Sequence, residues 1–98
     1  MEPKEVSLLD YAGFKLHVLD AAPQPDWDAM RKIVTEAVAW WDATKSKVTD
    51  HKLRDAFNST VRGMQQAART ENRPMLHFAA QMDLDLVDLL EKHFESKK

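Results

Sequence analysis

Four histidines and sixteen carboxylates are the groups of this chain that could hold a metal ion or move a proton. Asp10, His17 and Asp20 share the polar face of one amphipathic segment, with Gly13 between them, and His17 and Asp20 are neighbours at i,i+3. A carboxylate–imidazole set of this kind can bind a divalent cation. The spacing matches no strong metal signature such as His-Glu-x-x-His, so a solvated polar face is the expectation. His93 projects close to the centre of an apolar helical face near the C-terminus. A histidine in a bundle core can ligate haem or a metal. One turn from a helix end, its cation also suits the helix dipole while the ring reaches solvent, and with no partner ligand this is the expected role. Asp83 interrupts the same apolar arc. Unpaired burial would be costly, so it is expected to meet a Lys, an Arg or a hydroxyl from a facing helix, or to lie at a wet edge. The other reading is a buried acid with a raised pKa. His51 and His77 fall on the polar sides of first turns and read as surface residues. The chain has no cysteine, which excludes disulfides and thiolate chemistry. With no nucleophile–base pair, no Gly-rich phosphate loop and no strong metal motif, neither an enzyme nor a bound cofactor is expected.

The better functional clue is apolar. Tyr11, Phe14 and Val18 recur at i, i+3 and i+7 on the first helix, away from its main apolar face, with Lys15 between the two stripes. Such a stripe either widens the core-facing surface or forms an exposed patch for a partner or a second copy. Trp40 stands beside the seam of the second helix, as a half-buried flank or an anchor. Arg54, Arg62 and Arg69 line the outer face of the third helix, and Asp85, Asp88 and Glu91 the outer side of the fourth. These read as two solvated faces of opposite sign with weak pairs between them.

Four helices must position these residues, at about 5–21, 27–47, 50–70 and 73–95. In the first, Leu8, Leu9, Ala12, Leu16 and Leu19 form an apolar face, and Gly13 weakens the middle by about 1 kcal/mol relative to Ala. Pro23 and Pro25 end it. Asp26 is a candidate N-cap for the second helix, whose seam is Trp27, Met30, Val34, Ala37, Trp41, Thr44 and Val48. Thr49 or Asp50 caps the third, with Leu53, Phe57, Met64 and Ala68 facing the core. Beside that face runs a line of small residues, Ala56, Thr60, Gly63 and Ala67, which has room for Trp40 or Trp41. Asn72 caps the fourth, with Pro74 in its first turn and Met75, Leu76, Ala79, Met82, Leu86, Leu89 and Leu90 as its core face. The Glu95–Lys98 tail is expected to fray.

The two halves follow one plan. Asp10, Leu16 and Leu19 fall 45 residues before Asp55, Val61 and Met64, and Asp26, Met30, Asp42 and Val48 fall 46 residues before Asn72, Leu76, Asp88 and Phe94. A period in this range marks a repeated supersecondary unit, here an α-hairpin used twice. One hairpin cannot bury both apolar faces, but two close on each other. Residues 1–98 are therefore read as one all-α domain, an antiparallel up-down four-helix bundle made of two similar α-hairpins.

Net charge is −2 and the isoelectric point is near 6, without the basic field of a nucleic-acid binder. No apolar run approaches the roughly 20 residues that span a bilayer. The first residues lack the apolar core of a signal peptide, which leaves a cytoplasmic protein or a mature exported segment. The layout resembles the small periplasmic four-helix bundles that include the b-type cytochromes, in length, helix order and the seam histidine His93. That resemblance implies haem or metal binding as the alternative function. In that family a Met near the start of the first helix supplies the other axial ligand. Here the stretch reads Glu5-Val6-Ser7-Leu8-Leu9-Asp10, so the axial pair is missing. The sequence thus points to a non-enzymatic binding module, with Tyr11, Phe14, Val18 and Trp40 meeting a protein partner or another copy of the chain.

Overall fold

The residues that the sequence places in turns are the ones that start the helices. In the computed structural model, which describes residues 2–96, α1 spans Lys4–Asp20, α2 Trp27–Thr44, α3 His51–Thr70 and α4 Arg73–Glu95. The Asp26 carboxylate accepts from the Ala29 amide, Asp50 accepts from Lys52 and Leu53, and Asn72 accepts from Met75, with Pro74 in the first turn. Each side chain satisfies amides that the helix leaves free, a contribution of about 1 kcal/mol. α1 differs, because Pro3 precedes it and no side chain caps it. α2 ends three residues earlier than its periodicity suggests, in a 3-10 turn at Lys45–Lys47. α4 runs through Glu95 with Ser96 as its C-cap, while Lys97 and Lys98, where fraying is expected, lie outside the described residues.

Each helix packs against its neighbours in sequence, and α1 closes the ring on α4. The result is an antiparallel up-down four-helix bundle, 44 × 19 × 19 Å. The α1–α4 seam is the most extensive of the four and α2–α3 the least. Most apolar and capping positions matched by the repeat carry the same duties, although Leu19 is half-buried where its match Met64 is fully buried. Asp26 and Asn72 cap helices, Leu16 and Val61 are buried, as are Met30 and Leu76, and Val48 and Phe94.

The core centres on Trp41, whose ring stacks on Phe57 at 4.4 Å between centroids. Its Nε1 donates to Asn58 Oδ1 at 2.7 Å, so the one polar atom of the indole is satisfied. The small-residue line of α3 receives α4 at Gly63 rather than an indole, since a Cβ there would stand 3.8 Å from that of Ala79. Two expected core faces are displaced. In α1 the buried residues are Val6, Leu9, Ala12, Gly13 and Leu16, while Leu8 and Leu19 are only half-buried. In α4 Leu76, Ala79, Leu86 and Leu90 are buried as expected, and Ala80, Asp83, Val87 and Phe94 join them. Met75 and Leu89, expected in the core, are exposed. Both shifts bring Gly13 of α1 and Asp83 of α4 into the seam between the two helices, where they meet at close range.

Candidate interaction surface

Tyr11, Phe14 and Val18 stand on the outside of α1, exposed by 49%, 57% and 66%. The first of the two readings of this stripe, a widened core face, is thereby set aside. A helix places i, i+3 and i+7 on one side, so the three side chains form a strip about two turns long. Tyr11 meets Trp40 of α2 edge-on, with ring centroids 6.5 Å apart. Trp40 is half-buried against the core and fixes the flank of the strip. The four residues singled out in the sequence therefore form a surface on the first hairpin, with its aromatic end braced by α2.

α4 carries a second apolar stripe that sequence reasoning passed over. Phe78 is exposed by 67%, with Met75 and Leu89 on the same helix. Among the described residues every exposed large hydrophobic side chain lies on α1 or α4. Phe78 had a findable signal, since with Met75, Met82 and Leu89 it continues an i, i+3, i+7 series offset from the buried face. No helix among the described residues is long and apolar enough to cross a membrane.

The four candidate ligands do not converge. His17 and Asp20 meet α4 at one end of the bundle. Asp20 Oδ1 accepts from Arg73 Nε at 3.3 Å, and Asp20 Oδ2 lies 3.3 Å from His77 Nδ1. Arg73 also donates to the backbone oxygens of Asp20 and Ala22. The His17 and His77 rings meet edge-on at 4.9 Å, and the buried Nε2 of His17 has no hydrogen-bond partner. His77 is an exposed surface residue, as expected, and from there it faces Asp20 across the junction of α1 and α4. His93 lies at the other end, where its Nε2 accepts from the Thr49 amide at 3.3 Å; it ties α4 to the α2–α3 connection. Asp10 belongs to neither end. Its carboxyl is raised above the usual range by partial burial and by the charge of Asp88. Among the described residues no three His, Asp or Glu side chains are placed to hold a metal ion.

Asp83 overturns its expectation. It is 0% exposed, and neither carboxylate oxygen has a hydrogen-bond partner. No Lys, Arg or hydroxyl answers it. Its Oδ2 occupies the space where a Cβ of residue 13 would stand, so Gly13 is the reason that it fits. Burial foremost, and then the charge of Asp10, push its pKa up to about 8, against a lesser opposing effect of the Gly13 backbone.

Comparison of the chain with protein-family models, with curated proteins and with solved structures gave no match.

Proposed function

We propose that this chain is a non-enzymatic interaction module that docks through the outer face of α1, with Tyr11, Phe14 and Val18 as contact residues and Trp40 as their fixed flank. The observation that carries this reading is the continuous exposure of three large apolar side chains over two turns of one helix. Exposed aromatic and aliphatic groups in one strip lower their free energy when another surface covers them. The Tyr11–Trp40 contact favours a docking role, because an aromatic already held in place loses little side-chain freedom on binding.

The test is Phe14→Glu, which puts a charge in the middle of the strip. Sedimentation of the pure protein reports self-association, and capture from the native organism reports a partner. The variant should lose its association while helicity and melting temperature change little, since surface substitutions usually stay within ~0.5 kcal/mol. If it stays folded with its oligomeric state and bound proteins unaltered, the strip is idle and the proposal fails. If it unfolds, Phe14 belongs to the core and the proposal fails for that reason.

A further inference from the structure

Asp83 is the most unusual group in the molecule, and neither the fold nor the docking face makes use of it. A carboxylate at a fully buried site needs an opposite charge or several donors to remain ionised. Asp83 has neither. The charge that acts on it comes from Asp10 of α1 and has the same sign. Asp10 is itself influenced by Asp88 on α4, and Glu91, further along, by burial first and then by Glu2, Asp10, Asp88 and Glu95. The α1–α4 seam is thus lined by carboxylates around a carboxyl that has no counter-ion. The buried side chains of α2 and α3 are apolar or threonine, and no charged group of either helix acts on Asp83.

The helix on the other side of the seam is the one least able to stand alone. α1 has no side-chain cap, and it carries a glycine in its interior at the point where Asp83 enters. Both features lower the intrinsic stability of a helix. α1 is therefore held chiefly by its packing on α2 and α4, and on the α4 side that packing includes the close contact of Gly13 with Asp83.

We propose that the α1–α4 seam closes on the neutral carboxyl of Asp83, so that the bundle takes up a proton as α1 docks and loosens from the α1 side when that proton is lost. The proton comes from solvent and returns to it, and no covalent bond changes. The inference does not rest on the docking face, which lies on the outer side of α1.

The test uses the intact protein. A carbon-detected NMR titration follows the Asp83 carboxyl, and denaturant unfolding is measured from pH 5 to 8 for the parent and for Asp83→Asn. The carboxyl should titrate near pH 8, and Asp10→Asn should move that midpoint down by removing the like charge. The folding equilibrium of the parent should weaken up to tenfold per pH unit relative to Asp83→Asn, because the unfolded chain has lost this proton and the folded one keeps it. Amide exchange corrected for intrinsic rates should accelerate in α1 before α3 as Asp83 ionises. A carboxyl midpoint below pH 5, or an Asp83→Asn protein with the parent's pH slope, overturns the proposal. Equal acceleration in α3 overturns the assignment to α1. If Asp83→Asn does not fold, the carboxyl titration in the parent and its shift in Asp10→Asn decide the question.

Discussion

An alanine at position 13 would gain about 1 kcal/mol of helix propensity over glycine, and yet Gly13→Ala is expected to destabilise the protein. The added Cβ would lie 2.7 Å from Leu84 Cδ2 and would occupy the space of the Asp83 carboxylate. Asp83 is wholly buried, so its carboxylate and the Leu84 side chain must both shift to admit the Cβ. Overpacking of this kind costs roughly 1–3 kcal/mol, which exceeds the propensity gain. Thermal unfolding of Gly13→Ala checks the sign, and a raised melting temperature would show that the slot can widen at no cost. Trp41→Ala tests the opposite error, an emptied site. Removing the stacked indole and orphaning Asn58 Oδ1 should cost roughly 3–5 kcal/mol, a large part of the stability of a domain this small. A melting temperature within a few degrees of the parent would mean that the cavity collapses almost completely.

Among the helices, the connections were the most legible part of the sequence. Asp26, Asp50 and Asn72 are caps because a short acceptor precedes an apolar periodic run, which is local information. The seam of α2 and the core face of α3 were legible in most positions, but Trp27 is only half-buried, Ile33 joins the seam, and Thr60, Val61 and Ala67 widen the face of α3. The phase of α1 and α4 was not legible. Periodicity gives an apolar arc but not which edge of it meets a neighbour, and here the answer depends on Gly13 and Asp83, far apart in the chain. Read separately, one was a weak point and the other a broken pattern; read together they are one contact. Of the candidate site, the strip of Tyr11, Phe14 and Val18 was legible as a pattern, but its exposure was not, since a wide core face leaves the same trace. A further local feature escaped notice. Glu71 ends α3 in the left-handed region at φ 53°, where side chains other than Gly and Asn are disfavoured. It compensates only through an exposed pair with Arg31 at 3.3 Å, of a kind worth 0–1 kcal/mol at most sites. Glu71→Gly is therefore expected to be neutral or to stabilise by up to about 1 kcal/mol, measured by denaturant unfolding. A clear loss would show that the Arg31 pair outweighs the backbone strain.

At the scale of the whole molecule, the ring of helices closes through its two most distant members. The Asp20–Arg73 clasp joins residues 53 positions apart, and the α1–α4 seam that it ends is the most extensive in the bundle. Helical proteins fold fast when their contacts are local, because loop closure precedes the gain from distant contacts. Here the largest seam is the least local. The other ends of these two helices also lie together, for Glu2 lines one pocket with Glu91, Phe94 and Glu95. A circular permutant that joins the ends through a short flexible linker, and opens the chain at the exposed Pro23–Gln24 step, would place α1 directly after α4. Chain breaks at exposed loop residues are the ones that domains tolerate. The permutant should keep the helical content of the parent and refold faster in stopped-flow measurements, because the α1–α4 seam becomes a hairpin contact. The gain should be largest at low pH, where Asp83 is neutral and the seam can form at once. If the permutant folds at the parental rate, α1 docks only after the rate-limiting step. The transition state would then consist of α2, α3 and α4, with the Gly13–Asp83 contact made last.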